Sequence, residues 1–167
     1  MTARPLRIGV IGAGRSSPRL DEWAEAVGRG IAEAGAVLIC GGLGGVMAAA
    51  ARGARQAGGT TIGILPGADP DEANPDIILP IPTGLGEGRN LLVVQSSDVL
   101  VAIGGGAGTL SEIGFALKLR KPLVLLGSWK IRPPSEGGAL AVTPYEVETP
   151  DEAVRLALRL ARKYPRG

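Results

Sequence analysis

Histidine is absent from all 167 residues, which excludes any mechanism built on an imidazole base, proton shuttle or metal ligand. Cysteine occurs once, as Cys40 inside the apolar run "AVLICGG", so no internal disulfide can form. That residue reads as a small buried hydrophobe in a reducing compartment. Aromatic residues make up only 3%, and no Lys/Arg cluster is interleaved with them. With 18 basic and 16 acidic side chains the formal net charge is +2, so nucleic acid gains no support as a partner. No stretch approaches the ~18 unbroken apolar residues of a membrane span. The run in "MTARPLRIGVIGAG" breaks at glycine after a few positions, so neither an anchor nor a signal peptide is expected. A cytoplasmic protein with no metal site and no bound cofactor is the expectation.

Glycine is what the chain has in excess, with 27 residues spread without a triplet period, and such a composition implies many tight backbone turns. Hydrophobic residues at 45% and charged residues at 20% are ordinary globular proportions, and the length suits one domain over residues 1–167. Short β-branched runs ("LRIGVIG", "AVLICGG", "TTIGILPG", "DIILPIP", "VLVAIGGG", "KPLVLLG") alternate with five longer helical segments. This pattern predicts an α/β fold, a parallel sheet with helices on both faces. Ser17-Pro18 and Thr149-Pro150 read as helix starts, Gly35 and Gly58 as helix stops. Residues 66–77 and 128–138 read as loops, either lids or plain connections.

In such a sheet ligands bind beyond the carboxyl ends of the strands, and three glycine-rich turns fall there. The first, "GAGRSS", offers Gly12, Gly14 and Ser16 as ligand-binding candidates. It matches the dinucleotide fingerprint incompletely, because Ser17 stands at the third glycine position and no acidic residue ends the second strand. The second, "GGLGG", offers Gly41, Gly42 and Gly45, with Met47 beyond it as either an apolar wall or part of the core. The third, "GGGAGT", offers Gly105, Gly106, Gly108 and Thr109 as a phosphate cradle opening a helix. A plain alternative stands beside it, since "TLSE" from Thr109 to Glu112 also has the spacing of a capping box. "TPDE" at Thr149–Glu152 repeats that spacing without a glycine loop. Arg89, in "GLGEGRN", is either a solvated surface charge or an anion-binding fork facing Glu112.

Taken together, "CGGLGGVM", "GRN" and "GGGAGTLSE" resemble the Lonely Guy family, long labelled lysine-decarboxylase-like, and its relatives among molybdenum cofactor carriers. The resemblance spans residues 6–127 and implies a Rossmann-like fold. Its phosphate loop falls on Gly104 to Glu112 and its catalytic arginine on Arg89. Departures are Gly104 for a proline, Ser111 for the first of two glutamates, Cys40 for a glycine, and Asn90, a further ligand-binding candidate, for a lysine. This resemblance implies hydrolysis of the N-glycosidic bond of a nucleoside 5′-monophosphate, with Glu112 stabilising charge on the ribose and Arg89 either holding the nucleotide or orienting Glu112. The alternative is a non-catalytic carrier or sensor of a phosphorylated pterin or nucleotide. The resemblance also implies a homodimer or larger homo-oligomer; the apolar "LLVVQSSD" and "IGFALKL" segments read either as its interface or as part of the monomer core. Lysine decarboxylation is not expected: it needs pyridoxal phosphate on a lysine, and Lys118, Lys121, Lys130 and Lys163 are read as lying away from the anion-binding ends of the glycine loops.

Overall fold

Among the described residues the alternating pattern folds into one parallel seven-stranded sheet with five α-helices, a Rossmann-like α/β architecture. In chain order the elements are β1 (Arg7–Gly12), α1 (Pro18–Glu33), β2 (Val37–Cys40), α2 (Val46–Gln56), β3 (Thr61–Leu65), β4 (Leu79–Pro82), α3 (Arg89–Ser96), β5 (Val99–Ile103), α4 (Ala107–Lys118), β6 (Leu123–Leu126), β7 (Tyr145–Val147) and α5 (Pro150–Lys163). The computed structural model describes residues 4–164.

Six strands are those read from the sequence, and β7 is an addition. It has three residues, two of them exposed, so it carries no hydrophobic period to betray it. Its extended form comes from parallel pairing with β6, Val124 opposite Tyr145 and Leu126 opposite Val147.

The strands lie in the order β4-β3-β2-β1-β5-β6-β7. From β1 the chain builds outward to β4, then crosses back to pair β5 with the other side of β1. At that reversal the loops after β1 and β5 part, and a crevice opens at the carboxyl ends of the strands.

Alternate residues of each strand feed two cores. Val10, Val101 and Leu126 pack under α1, α2 and α5, while Ile11, Ala102 and Leu125 pack under α3 and α4. The helix starts follow their caps: Ser17 Oγ accepts the Leu20 N–H at 3.3 Å, and Thr149 with Glu152 forms a complete capping box. Gly35 and Gly58 lie just past helix ends with φ of 70° and 75°, the left-handed conformation that stops a helix. Among the described residues no helix is long and apolar enough to cross a membrane.

Candidate functional site

The third glycine turn decides between cradle and cap. Gly104 and Gly105 have φ of 57° and 125°, a region open to glycine at little cost. Their turn lets α4 begin at Ala107, capped by Gly106, which has no side chain to offer. Thr109 and Glu112 therefore lie inside the helix, and the capping-box reading of "TLSE" fails. The first N–H groups of α4 have no intrahelical partners, and the helix dipole adds partial positive charge there.

A cavity of about 180 Å³ opens at this point. Its walls come from Gly12 at the end of β1 and Gly14 beyond it, Gly41 after β2, Met47 at the start of α2, Arg89 and Asn90 at the start of α3, and Gly108, Thr109 and Glu112 at the start of α4. Val10 and Ile11 also line it. Nine of the fourteen sequence candidates thus share one wall. Met47 both lines the cavity and packs against the buried core, so its two readings merge. The other five candidates are placed elsewhere. Gly42 packs on Gly63 and Leu65, and Gly45 on the Ala13 carbonyl. Ser16 bonds its neighbour's carbonyl, while Gly105 faces a second depression and Gly106 caps α4.

Arg89 is 9% exposed, and its Nε is buried without a hydrogen-bond partner among the described residues. Its Nη1 donates to Asn90 Oδ1, and Asn90 Nδ2 in turn donates to Ser111 Oγ at 3.4 Å. Ser111 Oγ donates to the Gly108 carbonyl at 2.6 Å within α4 while accepting from Asn90 of α3, so the residue standing where the family pattern has a glutamate ties the two helices. Gly41 makes this arrangement possible, because a β-carbon there would stand 2.7 Å from Met47 Sδ and 2.8 Å from Arg89 Cζ.

Glu112 is 6% exposed. Burial pushes its carboxyl up from 4.5 to about 8, against the opposing pull of Arg89, and the charge of Glu87 adds to the rise. Among the described residues neither Arg89 nor Glu112 closes an ion pair within 4.0 Å. At neutral pH the cavity therefore presents a neutral carboxylic acid and an uncompensated guanidinium beside free backbone N–H groups, a surface of donors suited to an anion. Cys40 lies beneath, its thiol pushed up to about 11 by burial.

Glu87 lines the same cavity and was missed by sequence reading, although it stands two positions before Arg89 in "GEGRN". One placement of the lysines needs correction. Lys130 lines the second depression with Gly104 and Gly105, because β6 runs parallel beside β5 and the loop after it lands against the glycine turn. Lys121 is buried and donates to the Gln95 and Ser97 carbonyls.

Comparisons with known proteins show the same overall fold. The model of the SLOG cluster4 family matches residues 5–154. An uncharacterized protein of Archaeoglobus fulgidus is 44% identical over 153 residues, 92% of this chain and 95% of that one. The molybdenum cofactor binding protein of the phototrophic bacterium Rippkaea orientalis superposes with a TM-score of 0.83 at 34% identity, covering 95% of this chain and 99% of that one. The molybdenum cofactor carrier protein of Chlamydomonas reinhardtii gives 0.83 at 37% identity with the same coverage.

Proposed function

The chain belongs to the SLOG cluster4 family, and from that premise we propose that it is a cytoplasmic carrier of a phosphorylated ligand of the molybdenum cofactor type. The observation that carries the reading is the buried Arg89 Nε, a charged donor with no acceptor among the described residues, on a side chain that lines one cavity with the first turn of α4. A buried unpaired donor is expensive, and a phosphate oxygen would satisfy it. Gly108 and Thr109 are the proposed phosphate contacts on α4, with Asn90 and Glu112 as flanking donors. Gly12, Gly14, Gly41 and Met47 complete the proposed binding wall. With no histidine in the chain and Cys40 fully buried, these side chains fit the organic part of such a cargo, its phosphate first, rather than its metal.

Hydrolysis of a nucleoside 5′-monophosphate, the reaction implied by the Lonely Guy resemblance, is the second reading. Arg89 and Glu112 sharing one cavity favours it. Two features favour the carrier instead. Ser111 leaves the site one carboxylate short, and a Glu112 that is neutral at pH 7 does not stabilise a developing oxocarbenium charge. The carrier is proposed to assemble as a homodimer or larger, since α3 and α4 send Val93, Val94, Ile113 and Ala116 into the core yet leave Leu110 and Leu119 exposed.

The test is chemical. Protein purified without oxygen and then oxidised is expected to yield a fluorescent pterin phosphate on chromatography, lost in Arg89→Ala, and to release no base from any nucleoside 5′-monophosphate. Release of base that Glu112→Gln abolishes, with no pterin recovered, would establish the hydrolase in its place.

A further inference from the structure

A second depression adjoins the turn joining β5 to α4. Gly104 and Gly105 form one wall, and Gly127, Ser128, Trp129 and Lys130, which follow β6, form the other. Two hydrogen bonds fasten these walls together. Ser128 Oγ donates to the Gly104 carbonyl at 2.5 Å, and Trp129 Nε1 donates to the Gly106 carbonyl at 3.3 Å. The indole is thus held at its polar edge while the residue stays 40% exposed. The other tryptophan is satisfied: Arg19 sits 4.4 Å above the Trp23 ring, and Gly127 lies so close that a β-carbon there would stand 2.7 Å from it. Among the described residues no cation or aromatic ring covers Trp129. A fixed, uncovered indole beside an ammonium group is the usual equipment for stacking a planar ring.

We infer that Trp129 and Lys130 form a platform for the planar nitrogen-heteroaromatic ring of the same ligand whose phosphate enters the Arg89 cavity. The inference rests on that cavity being the phosphate site. The two depressions share a single turn: Gly105 lines one and Gly108 the other, separated by three Cα steps, at most about 11 Å of chain. The sugar of a nucleotide, or the fused ring and short side chain of a phosphorylated pterin, is of the size to bridge such a turn. Stacking tolerates any flat ring, so the platform selects ring-bearing phosphates over bare sugar phosphates. Lys130 then faces either a ring carbonyl or a second anionic group.

In a Trp23→Phe background Trp129 is the sole indole, so its fluorescence reports this depression alone. Adenosine 5′-monophosphate, neopterin monophosphate and ribose 5-phosphate are titrated by fluorescence and by calorimetry. The ring-bearing probes are expected to quench Trp129, whereas ribose 5-phosphate binds without quenching. Trp129→Ala weakens the ring-bearing probes about ten-fold and leaves ribose 5-phosphate unchanged. Trp129→Phe keeps a ring but loses the Nε1 bond, and it retains most of the affinity, which separates stacking from mere tethering of the loop. The tighter of the two ring-bearing probes tells whether a purine or a pterin is the better fit. Binding of either without quenching, or equal weakening of all three probes by Trp129→Ala, overturns the platform and leaves the phosphate cavity standing. Ribose 5-phosphate that fails to bind, or binds Arg89→Ala as well as the parent, overturns both.

Discussion

Glu112 behaves as its surroundings dictate rather than as its residue type suggests. A carboxyl titrating near 8 in the folded chain, against 4.5 when solvated, binds a proton more tightly in the native state. Stability from this group is therefore fullest below about pH 4.5 and declines as pH rises through about 8. Ligand binding follows the same sign, because an ionised Glu112 repels an anion. A phosphate monoester has finished its own second ionisation, near pH 6, before that range is reached. The affinity for ribose 5-phosphate is expected to fall between pH 7 and 9 in the wild type and to stay level in Glu112→Gln, measured by calorimetry. A level wild-type profile would place the ionised carboxylate away from the anion. The spacing of Arg89 and Glu112 was legible in the sequence, but the protonation state was not, since it depends on burial and on Glu87, which no motif marks.

Helix packing is set by small residues. Gly28 in α1 lies against the Ala50 carbonyl of α2, and Gly53 in α2 against the Glu25 carbonyl of α1, so the two helices cross at backbone contact. Gly28→Val is expected to lower the free energy of unfolding by about 3 kcal/mol, seen as a shift in denaturant midpoint. Gly114 in α4 is a control, since nothing lies within 4 Å of a β-carbon there. Gly114→Ala should stabilise by up to ~1 kcal/mol, as it removes freedom from the unfolded chain and improves helix propensity. The β4 edge shows another device: Leu79 and Ile81 are exposed, but Pro80 and Pro82 remove backbone donors and discourage a further strand from pairing. The five helices and six of the strands were legible because period and caps are local. Strand β7 was not, because its conformation is borrowed from β6.

For the whole molecule, the unequal covering of the sheet matters most. Three helices lie on one face and two on the other, and the two-helix face carries the partly exposed Leu110 and Leu119. Static light scattering is expected to give at least twice the mass of one chain. Leu110→Lys combined with Leu119→Lys should reduce it to that of one chain without lowering helix content. An unchanged mass in that variant would put any interface elsewhere.

The order of strands and helices, and the glycine turns after β1, β2 and β5, followed from the sequence alone. Hydrophobic period, caps and left-handed glycines act over a few residues, so their record is local. Tertiary structure decided which candidates meet. Crossing from β4 back to β5 places Arg89 and Glu112, 23 positions apart, on one cavity. The same parallel packing carries Trp129 and Lys130 over the glycine turn. Whether "TLSE" capped a helix or lay within one depended on where Gly104 and Gly105 turned the chain, and that turn is fixed only by the strands on either side.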